Sequence, residues 1–470
     1  MGPIKTPSVY VEEIAASPSS IMAVETAIPV FIGYTRKAKK TAPNDLVMSP
    51  VKLSSLRKFK QLFGGPHINE IAISVNDDGV GNFTAATFTE PSLDYLLYHS
   101  LKLFFSNGGN QCYVICVGTY QATPVIDLAG DGSSEPATGY GLMNGLEALA
   151  REDEPTLIVI PDAVKLAAAD YQSLVQATLL QCQTLGDRFA ILDVFDGTIH
   201  LDSNAQASNR NYFGTDNLAY GAVYYPFLRT QMNFPVNKRR TSVSVVYNGG
   251  AAAPLSTIRS SNRALYRFVK ATLKRHFIVL PPSAAIAGIY VTTDASRGVW
   301  KAPANVAVLN VQEPVVMLDN TGQRSLNVDG SDGKSINAIR AFPGKGTLVW
   351  GARTLAGNDN EWRYVSVRRF FTMIEVSVKQ GTAWVVFEPN DATLWAKVRA
   401  LIENYLYQNW RSGALAGATP EQAFFVRCGL GQTMTAQDIQ NGRMIVEIGM
   451  AALRPAEFII LKFAHQIQSA

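Results

Sequence analysis

The run QCYVICVG, residues Gln111 to Gly118, is apolar at almost every position and bounded by polar and turn-forming residues. It is too short for an ordinary helix and reads as a strand with no polar face, Cys112 to Val117. Further runs of the same kind lie on either side: Ala27-Ile28-Pro29-Val30-Phe31-Ile32-Gly33-Tyr34 upstream, then Thr156 to Ile160, Phe189 to Val194 and Ala222-Val223-Tyr224-Tyr225 downstream. Amphipathic stretches separate them. One opens at Pro91-Ser92, carries Leu93, Leu96, Leu97, Leu101 and Phe104, and stops at Asn107-Gly108-Gly109. Others run from about Gly141 to Ala150 and from about Ala169 to Leu185. Short apolar strands alternating with helices predict an α/β domain with a mostly parallel, doubly wound sheet, because such strands must be covered on both faces.

The chain has 470 residues, enough for about two to four domains. Apolar residues make up 47%, which excludes disorder of the whole chain. Charged residues make up only 17%, against about 25% in an ordinary globular protein, so contact surface between subunits is expected. A net charge of +4 is too balanced for a dedicated nucleic-acid binder. No apolar core of a signal peptide follows the first Met, and no run reaches the ~18 apolar residues of a membrane span. The expectation is a chain made and folded in a cytoplasm-like compartment, without membrane insertion.

The stretches that approach chemical motifs each fall short of one. Pro343-Gly344-Lys345-Gly346-Thr347 falls short of a phosphate loop, with Ile339 where the first Gly belongs and Gly346 where Ser or Thr belongs. It reads as a tight turn. Ser325-x-Asn327-x-Asp329-Gly330 lacks the closing Glu of a calcium loop, since Ile336 stands there. No GxSxG elbow occurs, and the five histidines have no metal spacing. Lys238-Arg239-Arg240 reads as a solvated loop rather than a phosphate contact. Cys112 and Cys116 read as small buried side chains rather than a redox or metal pair. Asp162 and Asp193 near strand ends are where an α/β enzyme would place functional groups, and a helix cap explains Asp162 equally well. Neither a catalytic residue nor a cofactor or metal is assigned.

The last 130 residues are more specific. Residues 341–470 hold 13 Lys/Arg and 10 Asp/Glu, so they carry +3 of the +4. Asn390-Asp391 is placed to cap a helix with Leu394, Val398, Leu401, Ile402, Tyr405, Leu406 and Trp410 on one face. Lys397 and Arg399 fall off that stripe and face solvent or a partner. A helix from Arg259 to Phe277 and strands at Leu348-Val349-Trp350, Trp384 to Phe387, Met444 to Ile448 and Glu457 to Phe463 complete the expectation. Ser8-Val9-Tyr10-Val11-Glu12 at the other end is also β-prone. Two β-prone arms at opposite ends of a chain suggest assembly by strand addition to a neighbour's sheet edge.

Several segments resemble one family in order along the chain. They are TPSVYVEEI (Thr6 to Ile14), TAIPVFIGYT (Thr26 to Thr35), GKGTLVWGARTL (Gly344 to Leu355), WRYVSVRRFFTMIE (Trp362 to Glu375), WVVFEPND (Trp384 to Asp391) and GRMIVEIGMAALRPAEFIILKF (Gly442 to Phe463). Together they resemble the sheath proteins of contractile phage tails and contractile injection systems; residues 36–340 carry no recognisable motif.

The resemblance implies a structural subunit rather than an enzyme. Such subunits stack as hexameric rings around an inner tube and contract to drive it through a target envelope. It implies a linking arm over 1–21, an outer α/β domain over 22–340, an inner α+β tube-facing domain over 341–455, and a second arm over 456–470. The linking strands would be Ser8, Val9, Tyr10, Val11, Glu12 and Glu13, together with Phe458, Ile459, Ile460, Leu461 and Lys462. Lys397 and Arg399 would face the tube. Implied partners are other copies of the chain, the tube protein, baseplate and terminator proteins, and sister sheath proteins. The setting would be cytoplasmic assembly into a virion tail or tail-like injection particle. The competing classes are a hydrolase-like enzyme using Asp162 and Asp193, and another tail or baseplate component.

Overall fold

The computed structural model describes residues 20–78, 82–88, 90–133, 135, 138–327 and 333–458. They form two compact units. The larger comprises Glu25–Thr372 with the chain from Arg454, and the smaller comprises the chain up to Val24 with Met373–Leu453.

In the larger unit, the elements that place the functional residues are β1 (Pro29–Thr35), β2 (Val51–Leu53), α1 (Leu97–Ser106), β3 (Cys112–Thr119), α2 (Leu142–Leu149), β4 (Leu157–Val159), α3 (Ala168–Leu185), β5 (Phe189–Asp193), β6 (Gly221–Tyr225), α4 (Ser283–Arg297), β7 (Val306–Ala307), β8 (Asn337–Phe342) and β9 (Gly346–Val349). They build a nine-stranded sheet in the order β7-β9-β8-β6-β5-β4-β1-β3-β2. The six strands from β8 to β3 run parallel, with antiparallel strands at both edges.

Register explains the double-sided burial. Phe31 sits beside Val114 and Val159, and all three enter one core, under α1 and α4. Val30 sits beside Tyr113 and Ile158, and these enter the opposite core, under α2 and α3. Each strand therefore feeds two cores by simple alternation, which is why its sequence has no polar face. Helix α2 lies close to the sheet at Gly145, where a Cβ would come within 2.5 Å of the Ile32 side chain and 2.6 Å of Val117. Smaller sheets of four strands, centred on Val243–Tyr247 and Ile71–Asp77, and of three strands, centred on Leu228–Asn233, complete the unit.

Four local expectations are corrected. Helix α1 begins at Leu97 rather than at Ser92, because the carboxylate of Asp162 caps it: Leu96 N–H donates to Oδ1 at 2.6 Å. The helix expected over Arg259–Phe277 is two helices, Leu255–Ser261 and Arg263–Leu273, split where Asn262 accepts from the Leu265 N–H at 3.0 Å. Trp384 to Phe387 is no strand but a 3-10 turn over Ala383–Val385, followed by Phe387 at φ 72°. The strand expected at Met444 starts later, as Glu447–Met450. Phe342 to Gly346 is a tight turn as expected, with Gly344 and Gly346 at φ 73° and 76°.

In the smaller unit, α5 (Val365–Gly381), within which the division between units falls, leads through the 3-10 turn to α6 (Ala392–Arg411). A two-stranded antiparallel ribbon, β10 (Phe424–Arg427) with β11 (Glu447–Met450), follows. Neither core of the larger unit contains a residue of Met373–Leu453.

Candidate assembly surface

The carboxylates that a hydrolase would need are used inside the fold. Asp162 follows β4 and is fully buried; besides Leu96 it accepts from the Tyr34 N–H at 3.3 Å. Burial pushes its carboxyl up to about 6. Asp193 ends β5 and caps α4, accepting from Ser283 N–H at 2.7 Å and Ser283 Oγ–H at 2.5 Å. Burial pushes it up to about 7. Each aspartate thus ties the end of a parallel strand to the start of a helix on one face of the sheet. The lowered charge propensity suits that task, since a helix N-terminus is also served by a neutral acceptor. Cys112 and Cys116 lie four residues apart on one strand, about 13 Å along it, too far to share a bond or an ion. Both are buried and free, and burial raises the Cys116 thiol to about 11. Among the described residues no His, Cys, Asp and Glu side chains gather in a group that could hold a metal. No helix among them is long and apolar enough to cross a membrane.

Among the described residues the smaller unit exposes as many large apolar side chains as the much longer larger unit, so they are denser there. Helix α6 forms as its pattern requires: Asp391 Oδ1 accepts from the Leu394 N–H at 2.8 Å, and Leu394, Val398, Leu401, Ile402, Tyr405 and Leu406 are buried. Lys397 and Arg399 lie on its exposed side. Lys397 Nζ stands 4.8 Å from the centre of the Trp384 ring, and Arg399 Nε is 3.7 Å from Glu403 Oε1 one turn on. Beyond the 3-10 turn, Phe387 is wholly exposed, and Val386 is about two-thirds exposed. A left-handed backbone holding a bulky side chain in solvent is costly for the isolated subunit.

The ribbon is the other open element. Phe424 pairs with Met450, Phe425 with Gly449, Val426 with Ile448 and Arg427 with Glu447. The Phe425 ring lies across Gly449, where a Cβ would come within 2.2 Å of it, and Arg427 stacks on that ring at 4.5 Å. Beyond β11, Ala416 N–H donates to Ala451 O at 2.8 Å. Among the described residues the ribbon has no third full strand. An open groove of about 560 Å³ runs beside β10, lined by Tyr407, Phe424 and Phe425 together with Glu403 and Glu421. A two-stranded ribbon is marginal alone and gains from added strands.

Of the expected linking strands, Ser8, Val9, Tyr10, Val11, Glu12, Glu13, Ile459, Ile460, Leu461 and Lys462 lie outside the described residues; Phe458 is described and exposed. Sequence reading missed three features. Phe387 was hidden because aromatic and β-branched neighbours imitate a strand. Ile21 and Val24 of the N-terminal segment are held within the smaller unit, with Ile21 buried and Val24 N–H donating to Ser377 Oγ at 3.0 Å. Glu457 is ion-paired with Arg353, a partner 104 residues away that no local pattern announces.

These features define a class first: a two-unit α/β protein whose polar strand ends serve its own helices and whose open surfaces suit assembly. Comparison with known proteins is consistent with that. Residues 357–466 match the family described as the phage tail sheath C-terminal domain. A major tail sheath protein of a prophage of Pseudomonas aeruginosa (strain UCBPP-PA14) is 29% identical over 109 residues, 23% of this chain and 27% of that protein. The tail sheath protein of Enterobacteria phage T4 is 24% identical over 136 residues, 29% of this chain and 20% of that protein. The chain thus aligns with about a quarter or less of the length of these relatives. Solved structures extend the likeness over the whole chain. The helical sheath of the anti-feeding prophage in its contracted state is 31% identical, with a TM-score of 0.66 over 98% of this chain and 100% of that one. The contracted sheath of the PVC extracellular contractile injection system is 29% identical, with a TM-score of 0.65 over 100% and 99%. The chain belongs to the contractile tail sheath family and is a structural sheath subunit.

Proposed function

We propose that this chain polymerises as stacked rings around an inner tube, as part of a virion tail or tail-like injection particle assembled in the cytoplasm, and contracts to drive the tube through a target envelope. The observation that carries this reading is 31% identity across the full length of a contracted helical sheath chain. In this reading the larger unit holds the outer, doubly wound domain and Met373–Leu453 the tube-facing one. The arms at Ser8–Glu13 and Phe458–Lys462 add strands to the β10–β11 ribbon of neighbouring copies. A strand with about four ladder hydrogen bonds yields a few kcal/mol, at roughly 1 kcal/mol each. Such links persist while the units of successive rings shift, so the free energy of contraction comes from contacts elsewhere. Lys397 and Arg399 face an acidic tube exterior and release it on contraction. Baseplate, terminator and sister sheath proteins meet the ends of the lattice.

Negative-stain electron microscopy of the chain expressed alone, and then with its tube protein, tests the reading. The expected result is hollow tubular polymers, narrower and filled when the tube protein is present. A small monodisperse oligomer under both conditions overturns it.

A further inference from the structure

The segment Arg454–Phe458 has no regular secondary structure, yet it is held firmly at one residue. Arg353, 3% exposed, meets Glu457 through two parallel bonds, Nε to Oε1 at 3.0 Å and Nη2 to Oε2 at 2.5 Å. Its remaining nitrogen, Nη1, donates to the carbonyls of Gly357 at 3.2 Å and Asn327 at 3.4 Å. Tyr364 O–H donates to the same carboxylate at 3.3 Å. The arginine backbone is tied in turn to the main sheet: Arg353 N–H donates to Asn337 Oδ1 at 2.8 Å, and Asn337 Nδ2 donates back to Arg353 O at 2.7 Å. Asn337 is the first residue of β8. Every member of this chain of bonds belongs to the larger unit.

The other end of the polypeptide is held elsewhere. Residues up to Val24 belong to the smaller unit, where Val24 N–H bonds Ser377 Oγ and Ile21 is buried. We propose that the two terminal arms are rooted in different units, and that Arg353 is the positioning residue that roots the C-terminal arm in the larger one through Glu457. The C-terminal link then carries displacements of the α/β unit, and the N-terminal link those of the smaller unit. Without the pair, residues 454–458 would add about 17 Å of slack, at roughly 3.3 Å per residue, and a slack tether transmits no displacement. The proposal rests on the arms being linking strands.

The test uses the full chain. Glu457→Gln keeps the shape and removes the charge; Arg353→Lys keeps the charge and loses the two-pronged geometry. In the unassembled subunit, a spin label at Ala456 should become markedly more mobile in either variant while the amides of β1 and β3 stay protected from exchange. Assembled sheaths of Glu457→Gln should come apart at lower urea than wild type, by more than the subunit's own unfolding midpoint shifts. Unchanged label mobility at position 456, or equal shifts in sheath and subunit, overturns the rooting role. Deleting residues 459–470 separates the two ideas. Loss of assembly on deletion, with a wild-type sheath midpoint in Glu457→Gln, sinks the rooting role alone; normal assembly without those residues sinks the linking reading and the rooting role together.

Discussion

The two units spend their apolar residues differently. In the larger, Val30 and Phe31 are neighbours in sequence and serve opposite cores, so both faces of its sheet are spent inside the fold. In the smaller, one buried helix stripe carries the fold, while Met22, Val386, Phe387, Tyr407, Phe425, Leu430 and Ile445 remain open. The difference teaches where assembly is written. A body that pairs its own strands and uses its own strand-end carboxylates offers few open edges, whereas a small unit with a two-stranded ribbon has an edge to offer.

The largest expected effect breaks the comparison outright. Deleting residues 1–14 should leave the far-ultraviolet spectrum and unfolding midpoint of the subunit near wild type and abolish sheath formation. Normal long sheaths from the trimmed chain would show that the smaller unit assembles without its arm. Next comes the larger unit's core. Phe31 is fully buried with its ring centre 5.2 Å from that of Phe104, so Phe31→Ala should cost about 3–5 kcal/mol in urea unfolding. A loss below 1 kcal/mol would mean that the sheet is far less tightly packed than its alternation implies.

The buried aspartates give a pH signature of the larger unit. Both lie above the ordinary value of 3.8, so between about pH 4 and pH 7 the folded chain holds protons that the unfolded chain has released. Their contribution is complete below pH 4 and is lost as pH rises through 6 and then 7. Asp193→Asn removes one ionisation while keeping an accepting oxygen for Ser283. From pH 5 to pH 8 the wild type should lose ground to the variant, on the order of a few kcal/mol. Parallel profiles in urea titrations at pH 5, 6.5 and 8 would refute the assignment. On the smaller unit, reversing Lys397 and Arg399 to Glu should leave unfolding within about 0.5 kcal/mol and reduce co-assembly with tube several-fold at low salt. Tube-filled sheaths in wild-type yield would remove both residues from the tube contact.

What could be read from sequence follows the range of the forces involved. Five of the six parallel strands were legible because double-sided burial marks each of them locally, and α6 because its cap and stripe lie within twenty residues; β8 was not, since burial stops after its first three residues. The start of α1 was not, since its cap, Asp162, lies 66 residues beyond Leu96. The break at Asn262 was legible only in retrospect, as one side chain deciding between a continuous helix and two. At the assembly surface, Lys397 and Arg399 stood out as residues off a stripe, whereas the groove beside β10 is a product of packing between α6 and the ribbon. The pairing of Arg353 with Glu457 depends wholly on tertiary structure.

Trp384 to Phe387 shows how a turn can carry the composition of a strand. Val385, Val386 and Phe387 have the composition of a strand, yet the chain turns there and sets Phe387 at φ 72° with its ring in solvent. Glycine would adopt that backbone at less cost and lose no burial in the isolated subunit. Phe387→Gly should therefore leave the subunit as stable or up to about 1 kcal/mol more stable. If the ring is a contact completed by a neighbour or the tube, the same variant should weaken assembly. Greater stability with unimpaired sheaths would reduce Phe387 to an accident of the turn, and a loss of more than 1 kcal/mol would mean that the ring packs within its own unit. The sharp outcome is the split, with folding unharmed and assembly weakened. That split would place the smallest energetic feature of the chain on the side of the comparison that serves assembly rather than folding.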